Sequence, residues 1–160
     1  MAKSIPDGFN TLTPHIVVQD ALKAIEFYKT AFGAQETTRH MGPDGKSVMH
    51  AQLKIGNSVL MLANEWPPMC LSPKSRGGTS VTLHLYVDNA DATFDRAVKA
   101  GCSVKMPIMD QFWGDRYGQV EDPFGHLWSI ATHKQDLTDE QIAANAKAAF
   151  AKMECAPASA

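Results

Sequence analysis

The chain has 160 residues, of which 44% are hydrophobic and 20% charged, and its formal net charge is −2. This size predicts one domain spanning 1–160 with a sizeable core, and the scattered Lys and Arg argue against nucleic-acid binding. No apolar run is long enough to cross a membrane, and the N-terminus lacks the apolar core of a secretion signal.

The first predicted unit covers residues 9–63 and has the order β-α-β-β-β. Asp20 is suited to cap the N-terminus of a helix, and Gly33 is suited to end it in a left-handed conformation. Gly56 and Asn57 predict a tight hairpin turn between the last two strands. The predicted elements are a strand at 12–18, a helix at 21–32, a turn at 42–45, and strands at 48–55 and 58–63.

The second predicted unit covers residues 80–133 and repeats this order. TPHIVVQD at 13–20 reappears as TLHLYVDN at 82–89, with Thr, His and Val in register. A repeat at this spacing predicts two copies of one supersecondary unit that share a core. A Pro-, Ser- and Gly-rich linker at 64–79 separates the copies. The predicted elements are strands at 81–87, 104–108, 117–121 and 127–131, and a helix at 91–100.

The C-terminal segment 137–153 predicts a further helix. Thr138 and Gln141 form a capping box, and the Ala-rich sequence that follows has high helix propensity. Its apolar stripe must be covered either by the chain's own domain or by a second copy in a dimer. The stripe consists of Ile142, Ala146, Ala149, Phe150 and Met153.

The three cysteines, Cys70, Cys102 and Cys155, are an odd number without metal-type spacing. This pattern favours a reduced, cytoplasmic protein. The sequence DPFG at 122–125 predicts a turn in which Asp122 caps its own backbone. We expect His126 to face solvent or to cap a loop.

Strand alternation separates the core from a candidate site, because successive side chains point to opposite faces. Ile16 and Val18 share an aliphatic face that we expect to pack on the helices, as do the equivalent leucines of the second copy. The opposite faces should line a concavity enclosed by the two units. The residues expected to face this concavity are Thr13, His15, Met61, Thr82, His84, Tyr86 and Ser129.

The order β-α-β-β-β taken twice, with FYKTAFG at 27–33 and DPFGHLW at 122–128, resembles the vicinal oxygen chelate superfamily. This is the family of glyoxalase I, extradiol dioxygenases, and fosfomycin- and bleomycin-resistance proteins. The resemblance covers roughly residues 9–133 and implies an α+β fold with a cupped or barrel-like mixed sheet. It also implies a homodimer. In metal-dependent members, the ligands come from the first and last strand of each unit, and these positions are Thr13, Met61, Thr82 and Ser129 here.

These four positions offer a thioether and three hydroxyls, whereas divalent metals prefer imidazole or carboxylate. His15 and His84 lie two residues further along the same face, and with His50 as a third imidazole they could form a displaced metal site. No carboxylate lies at a matching position. The sequence therefore favours a site without metal, in which His15, His50 and His84 are polar pocket residues.

The segment at 110–118 holds the largest concentration of aromatic residues beside a predicted site strand. Phe112, Trp113 and Tyr117 supply flat apolar surface for a planar ligand, and Arg116 could bind a carboxylate or phosphate on it. The alternative is that Asp115 pairs with Arg116 and that Trp113 only packs.

Three functions are consistent with these residues. The first is a small-molecule binding protein that holds an aromatic or amphipathic ligand without metal, similar to the bleomycin-resistance proteins. The second is a metal-dependent lyase, isomerase or dioxygenase acting on vicinal oxygens. The third is a metal-free enzyme with His15 or His84 as general base. We favour the first.

Overall fold

The computed structural model of the chain describes residues 2–154, and the side chains of residues 2–151. Each unit contributes a helix and four strands, and the elements follow the predicted order. The first unit comprises β1 (His15–Val18), α1 (Ala21–Phe32), β2 (Gln35–Met41), β3 (Val48–Ile55) and β4 (Ser58–Asn64). A short helix, α2 (Pro73–Arg76), precedes β5 (Thr82–Tyr86), α3 (Ala90–Ala100), β6 (Ser103–Asp110), β7 (Asp115–Glu121) and β8 (Leu127–His133), and α4 (Asp139–Glu154) follows.

The predicted helix signals are confirmed in α1. The Asp20 carboxylate accepts a hydrogen bond from the Lys23 backbone N–H and so caps the helix. Gly33 ends it at φ 68°, in the left-handed region that glycine adopts without steric cost. Because both signals lie in the local sequence, the helix bounds match the prediction.

Each unit forms its own four-stranded mixed sheet, and the strand orders are β1-β4-β3-β2 and β5-β8-β7-β6. The first and last strands of each unit pair in parallel, and the other neighbours pair antiparallel. Helices α1 and α3 pack against each other, and β1 and β5 are edge strands. The predicted α+β class and repeated organisation are confirmed.

The core lies between the helices and one face of each sheet, as strand alternation predicts. Ile16 and Val18 are buried against α1, and Leu83 and Leu85 pack against the same core. The opposite faces, which carry His15 and His84, are exposed. The candidate site therefore lies on these exposed sheet faces, away from the helices, and we call them the concave faces after the concavity expected from the sequence.

A buried carboxylate, Asp122, joins the two units. One oxygen accepts hydrogen bonds from the hydroxyl of Tyr28 on α1 (2.7 Å) and from the indole N–H of Trp128 on β8 (2.8 Å). The other accepts from the backbone N–H groups of Phe124 and His126 (2.9 Å each). The predicted backbone cap is confirmed. Burial, followed by the nearby Asp122 charge, raises the pKa of Tyr28 and keeps its hydroxyl a donor.

His126 does not face solvent and is buried at 9% exposure. Its Nε2 atom lies 3.0 Å from the backbone carbonyl oxygen of Val17 on β1. Arg96 on α3 also crosses between the units by donating to the carbonyl of Ala31 (2.8 Å). The expectation for His126 was wrong because the turn at 122–125 packs against the first unit.

Three further features refine the sequence prediction. The predicted linker at 64–79 contains α2, and β1 begins only at His15, where its parallel pairing with Met61 begins. The Thr138 and Gln141 capping box is present, with both reciprocal hydrogen bonds. No helix of the described residues is long and apolar enough to cross a membrane.

We expect Asp122→Ala to lower the free energy of unfolding by about 2 to 6 kcal/mol, because the Tyr28 and Trp128 donors each cost about 1 to 3 kcal/mol when buried without an acceptor. Asp44→Ala is the matched control, because Asp44 also caps its own turn but is exposed. Urea unfolding of both variants measures the difference. Equal losses in the two variants would contradict the joining role of Asp122.

Candidate functional site

The two units place the same three residue positions side by side on their concave faces. In the first sheet, His15 lies opposite Met61, which lies opposite Gln52. In the second, His84 lies opposite Ser129, which lies opposite Gln119. Each concave face therefore carries a row that runs from an imidazole to a carboxamide.

The surroundings of the two histidines in these rows disfavour the charged imidazolium. Burial, with a smaller contribution from the nearby His50, lowers the pKa of His15. Burial also lowers the pKa of His84, although the Asp115 charge opposes the shift. A neutral imidazole carries one donor and one acceptor, so each histidine can either donate a hydrogen bond to a ligand or accept one from it.

The second concave face is an aromatic wall, formed by His84, Tyr86, Trp113 and Tyr117. The ring centroid of His84 lies 4.5 Å from that of Tyr86 and 5.9 Å from that of Tyr117. Trp113 meets Tyr117 edge-on at 5.4 Å. Tyr86 remains 64% exposed, so the wall is open to a ligand.

The buried carboxylate of Asp115, only 4% exposed, holds two rings of the aromatic wall in place. One of its oxygens accepts hydrogen bonds from the Tyr86 hydroxyl (3.0 Å) and the Trp113 indole N–H (3.1 Å). The other lies 2.8 Å from Nδ1 of His133. Burial alone would raise the pKa of Asp115, but the hydrogen bonds from His133, Tyr86 and Trp113 outweigh it and hold the pKa below its ordinary value.

A cavity of about 480 Å³ lies beside this wall, at the junction of the two units. Its first-unit side comes from the segment before β1 and from the β3–β4 hairpin, and its second-unit side comes from β5 and Trp128. Three of the predicted site residues line it: Thr13, Thr82 and His84. The remaining lining is mainly apolar, as in typical small-molecule pockets.

The other predicted site residues divide into two groups. On the first sheet, His15 and His50 lie close together, with ring centroids 5.9 Å apart, beside the half-buried Met61. On the second sheet, Ser129 is buried and shares a 2.8 Å hydrogen bond with the Tyr117 hydroxyl. The first group thus presents imidazoles and the second presents aromatic rings.

Arg116 lies apart from both groups, and Phe112 lies at the edge of the aromatic wall, where its ring packs edge-on against Trp113 with centroids 4.9 Å apart. Phe112 contacts α4, where its ring centroid is 5.9 Å from that of Phe150 and its carbonyl accepts from Asn145. Arg116 alternates with Tyr117 along β7 and instead forms a bidentate pair with Asp91 on α3 (2.7 and 3.0 Å). The alternative pairing of Arg116 with Asp115 is wrong, because the two side chains point to opposite faces. We therefore leave Arg116 out of the proposed site.

The four positions that carry metal ligands in relatives do not suit a divalent cation here. The Thr13 hydroxyl donates to the carbonyl of Asn10 (2.9 Å), and Ser129 is paired with Tyr117. Met61 and Thr82 add only a thioether and a hydroxyl. Within residues 2–154, no group of three or more His, Cys, Asp or Glu side chains is placed to hold a metal ion.

The organising role of Asp115, and Gln52 and Gln119 as site residues, are not predicted from the sequence. The two glutamines occupy equivalent places in the sheets, opposite Met61 and Ser129, but they are 67 residues apart and so fall out of register with the repeat of 13–20 at 82–89. No local signal marks Asp115, since its partners come from β5, from the end of β8 and from its own loop.

The comparisons with known proteins agree with this fold. The family model of the Glyoxalase/Bleomycin resistance protein/Dioxygenase superfamily matches residues 8–130, and the chain belongs to this superfamily. An uncharacterized protein of Mycobacterium tuberculosis (strain ATCC 25618 / H37Rv) is 48% identical over 137 residues, covering 83% of this chain and 80% of the relative. The resemblance drawn from the sequence is confirmed.

Two solved structures illustrate the range of the fold. TioX from Micromonospora sp. ML1 is 27% identical, with a TM-score of 0.63 over 78% of this chain and 98% of its own. FosX from Listeria monocytogenes, complexed with Mn(II) and sulfate, is 16% identical to this chain. Its TM-score is 0.58, and the match covers 82% of this chain and 95% of FosX. The likeness to FosX is one of fold alone.

We expect Asp115→Asn to lower the pKa of His133 toward its ordinary value of 6.5. Asp136, followed by Asp115, raises that pKa, so charged His133 stabilises these pairs at acidic pH and the stabilisation is lost as pH rises through the raised pKa. NMR titration of the His133 ring measures the shift. Asp110→Asn is the control, because Asp110 pairs with Arg116 instead. An equal shift in both variants would contradict the Asp115 network.

Proposed function

We propose that this chain binds a small aromatic or amphipathic molecule, without metal, in the cavity between the units and against the aromatic wall of the second sheet. The observation that carries the proposal is the fixing of Tyr86 and Trp113 by one buried carboxylate, Asp115. Side chains that are already ordered lose little conformational entropy when a ligand stacks on them.

The chemistry of the wall supports a planar ligand with a few polar groups. Flat rings supply apolar contact and favourable edge or stacked geometries with another ring. The neutral imidazole of His84 and the hydroxyl of Thr82 line the cavity and can hydrogen-bond the ligand's polar atoms. A protein that sequesters its ligand without converting it needs these contacts but no catalytic group.

A metal-free enzyme is the second candidate function. It is favoured by the lowered pKa of His15 and His84, which leaves each imidazole free to accept a proton at neutral pH. Turnover by metal-free protein, abolished by His84→Ala or His15→Ala, would support it. The metal-dependent lyase or dioxygenase reading is weaker, because its donor positions do not suit a cation.

We also propose that the protein works as a homodimer in the cytoplasm. Apolar side chains on β6 extend the open concave face of the second sheet, where Met106 is 40% exposed and Met109 is 49% exposed. A second copy would cover such a surface, and most soluble homo-oligomers are twofold dimers. The free thiols Cys70 and Cys102 are consistent with a reducing compartment.

We expect the chain to bind 2-naphthol more tightly than its saturated analogue decahydro-2-naphthol. Trp113→Leu should weaken 2-naphthol binding by about two- to tenfold, since one aromatic contact contributes roughly 0.5 to 1.5 kcal/mol. Trp66→Leu is the matched control, because Trp66 is exposed in the segment between β4 and α2. Calorimetric titration of each variant measures Kd. The proposal fails if the unmodified chain does not bind 2-naphthol, or if both variants weaken binding equally.

We expect sedimentation equilibrium to give twice the chain mass of 17.4 kDa. Met106→Lys should shift the equilibrium toward monomer, because it places a charge on the proposed contact. Val98→Lys adds the same charge at an exposed apolar position on α3, away from the proposed contact, and should leave the dimer intact. A monomeric unmodified chain, or equal effects of the two substitutions, would contradict this contact.

A further inference from the structure

The segment that connects the two units forms one wall of a second cavity, which we call the seam cavity. Its volume is about 380 Å³, which is enough for a small molecule. The other walls come from β1, from β5 and from His126 after the 122–125 turn. Pro14, Val81 and Leu83 line both this cavity and the cavity of the proposed function, so the two are neighbours. Their remaining linings differ in charge.

Helix α2, which carries part of the seam cavity, is fixed to both units. The Glu65 carboxylate of the first unit accepts hydrogen bonds from the Ser72 backbone N–H (3.0 Å) and from the Ser75 hydroxyl (2.7 and 3.0 Å). Gly125 of the second unit packs against Pro73 so closely that a Cβ at position 125 would lie 3.0 Å from the Pro73 side chain. This wall of the cavity is therefore in place before a ligand binds.

Arg76, at the C-terminal end of α2, is the charged residue of the lining. The other three arginines of the chain are engaged, because Arg39 and Arg116 bind carboxylates and Arg96 donates to a backbone carbonyl. Within the side chains of residues 2–151, the Arg76 guanidinium has no such partner, and no Asp or Glu lines the cavity. Its N–H donors are therefore available to an anion.

His126 opens part of its ring to the same cavity. Its Nε2 atom donates to the Val17 carbonyl (3.0 Å), since a carbonyl can only accept. Among the described side chains, every fully buried nitrogen or oxygen has a hydrogen-bond partner. The Nδ1 atom has no protein partner and is therefore accessible, although His126 as a whole is only 9% exposed. Because Gly125 contacts Pro73, this ring lies beside the helix that ends at Arg76.

The rest of the lining is mainly aliphatic. Such walls favour the branched or short hydrocarbon part of a ligand over water. His15 and Ser80 add hydrogen-bonding groups but no carboxylate. The apolar lining residues are Pro14, Ile16, Val17, Leu71, Pro73, Val81 and Leu83.

We propose that the seam cavity is a second binding site, which takes a small aliphatic carboxylate. The Arg76 guanidinium binds the carboxylate, and the hydrocarbon part lies against the aliphatic walls. A single cation without an acidic neighbour matches the single negative charge of a carboxylate, and its planar fork matches the two oxygens. This site lies apart from the aromatic wall and does not depend on the proposed function.

The test titrates the full chain with 3-methylbutanoate and with its neutral isostere 3-methylbutanamide, and follows the histidine ring signals by NMR. We expect 3-methylbutanoate to shift the His126 signals and to bind about tenfold more tightly than the amide, the ratio expected when hydrogen bonds become charge-assisted. Acetate should bind at least tenfold more weakly than 3-methylbutanoate, because it leaves the aliphatic walls uncovered.

Arg76→Gln should remove the preference for the acid over the amide. Lys74→Gln is the matched control, because it removes the same charge from the same helix at an exposed residue that does not line the cavity. Both residues are exposed, and unchanged thermal unfolding of the two variants confirms that the fold is intact.

Three results would overturn the inference: equal binding of acid and amide, equal losses in the two variants, or shifts at His84 with none at His126. Each of them leaves the proposed function standing, because that function is tested by 2-naphthol and Trp113→Leu. Failure of 2-naphthol to bind would likewise leave the seam cavity untouched.

Discussion

The hydrogen bonds of Asp122 join two units that otherwise form separate sheets. A carboxylate buried in the second unit is stable only if its lone pairs are filled, and Tyr28 of the first unit and Trp128 supply two of the four donors. Around this point α1 packs on α3, and His126 reaches the edge of β1. The cavity at the junction exists because these contacts hold the two β-α-β-β-β copies in a fixed relation.

Duplication gives the two sheets equivalent positions that carry different side chains. Both concave faces keep a histidine on the first strand and a glutamine two strands away. The two faces differ at other equivalent positions that lie outside the core. His50 of the first sheet occupies the place of Tyr117 in the second, and Met61 occupies the place of Ser129. Because these side chains point away from the helices, differences between them change the chemistry of the exposed faces and leave the core between sheets and helices intact.

The sequence predicted the parts of the molecule that depend on local or repeated signals. Helix α1 and the hairpin at Gly56 follow from capping and turn residues, and the concave histidines follow from strand parity. The roles of Asp115, Arg116 and His126 depend on partners that are distant in the chain. Arg116 pairs with Asp91 on α3, a partner that the local sequence does not indicate. The expectation for His126 failed because a turn that packs against a strand edge has the same local sequence as an exposed turn.

The central claim is that this site binds an aromatic ligand and needs no metal at the four positions that bind metal in relatives. The most direct measurement is elemental analysis of the native chain purified without chelators. The account predicts far less than one equivalent of nickel, zinc, iron or manganese per chain. About one equivalent, lost on His15→Ala or His84→Ala, would show that imidazoles hold a cation on the concave face, and would contradict the account.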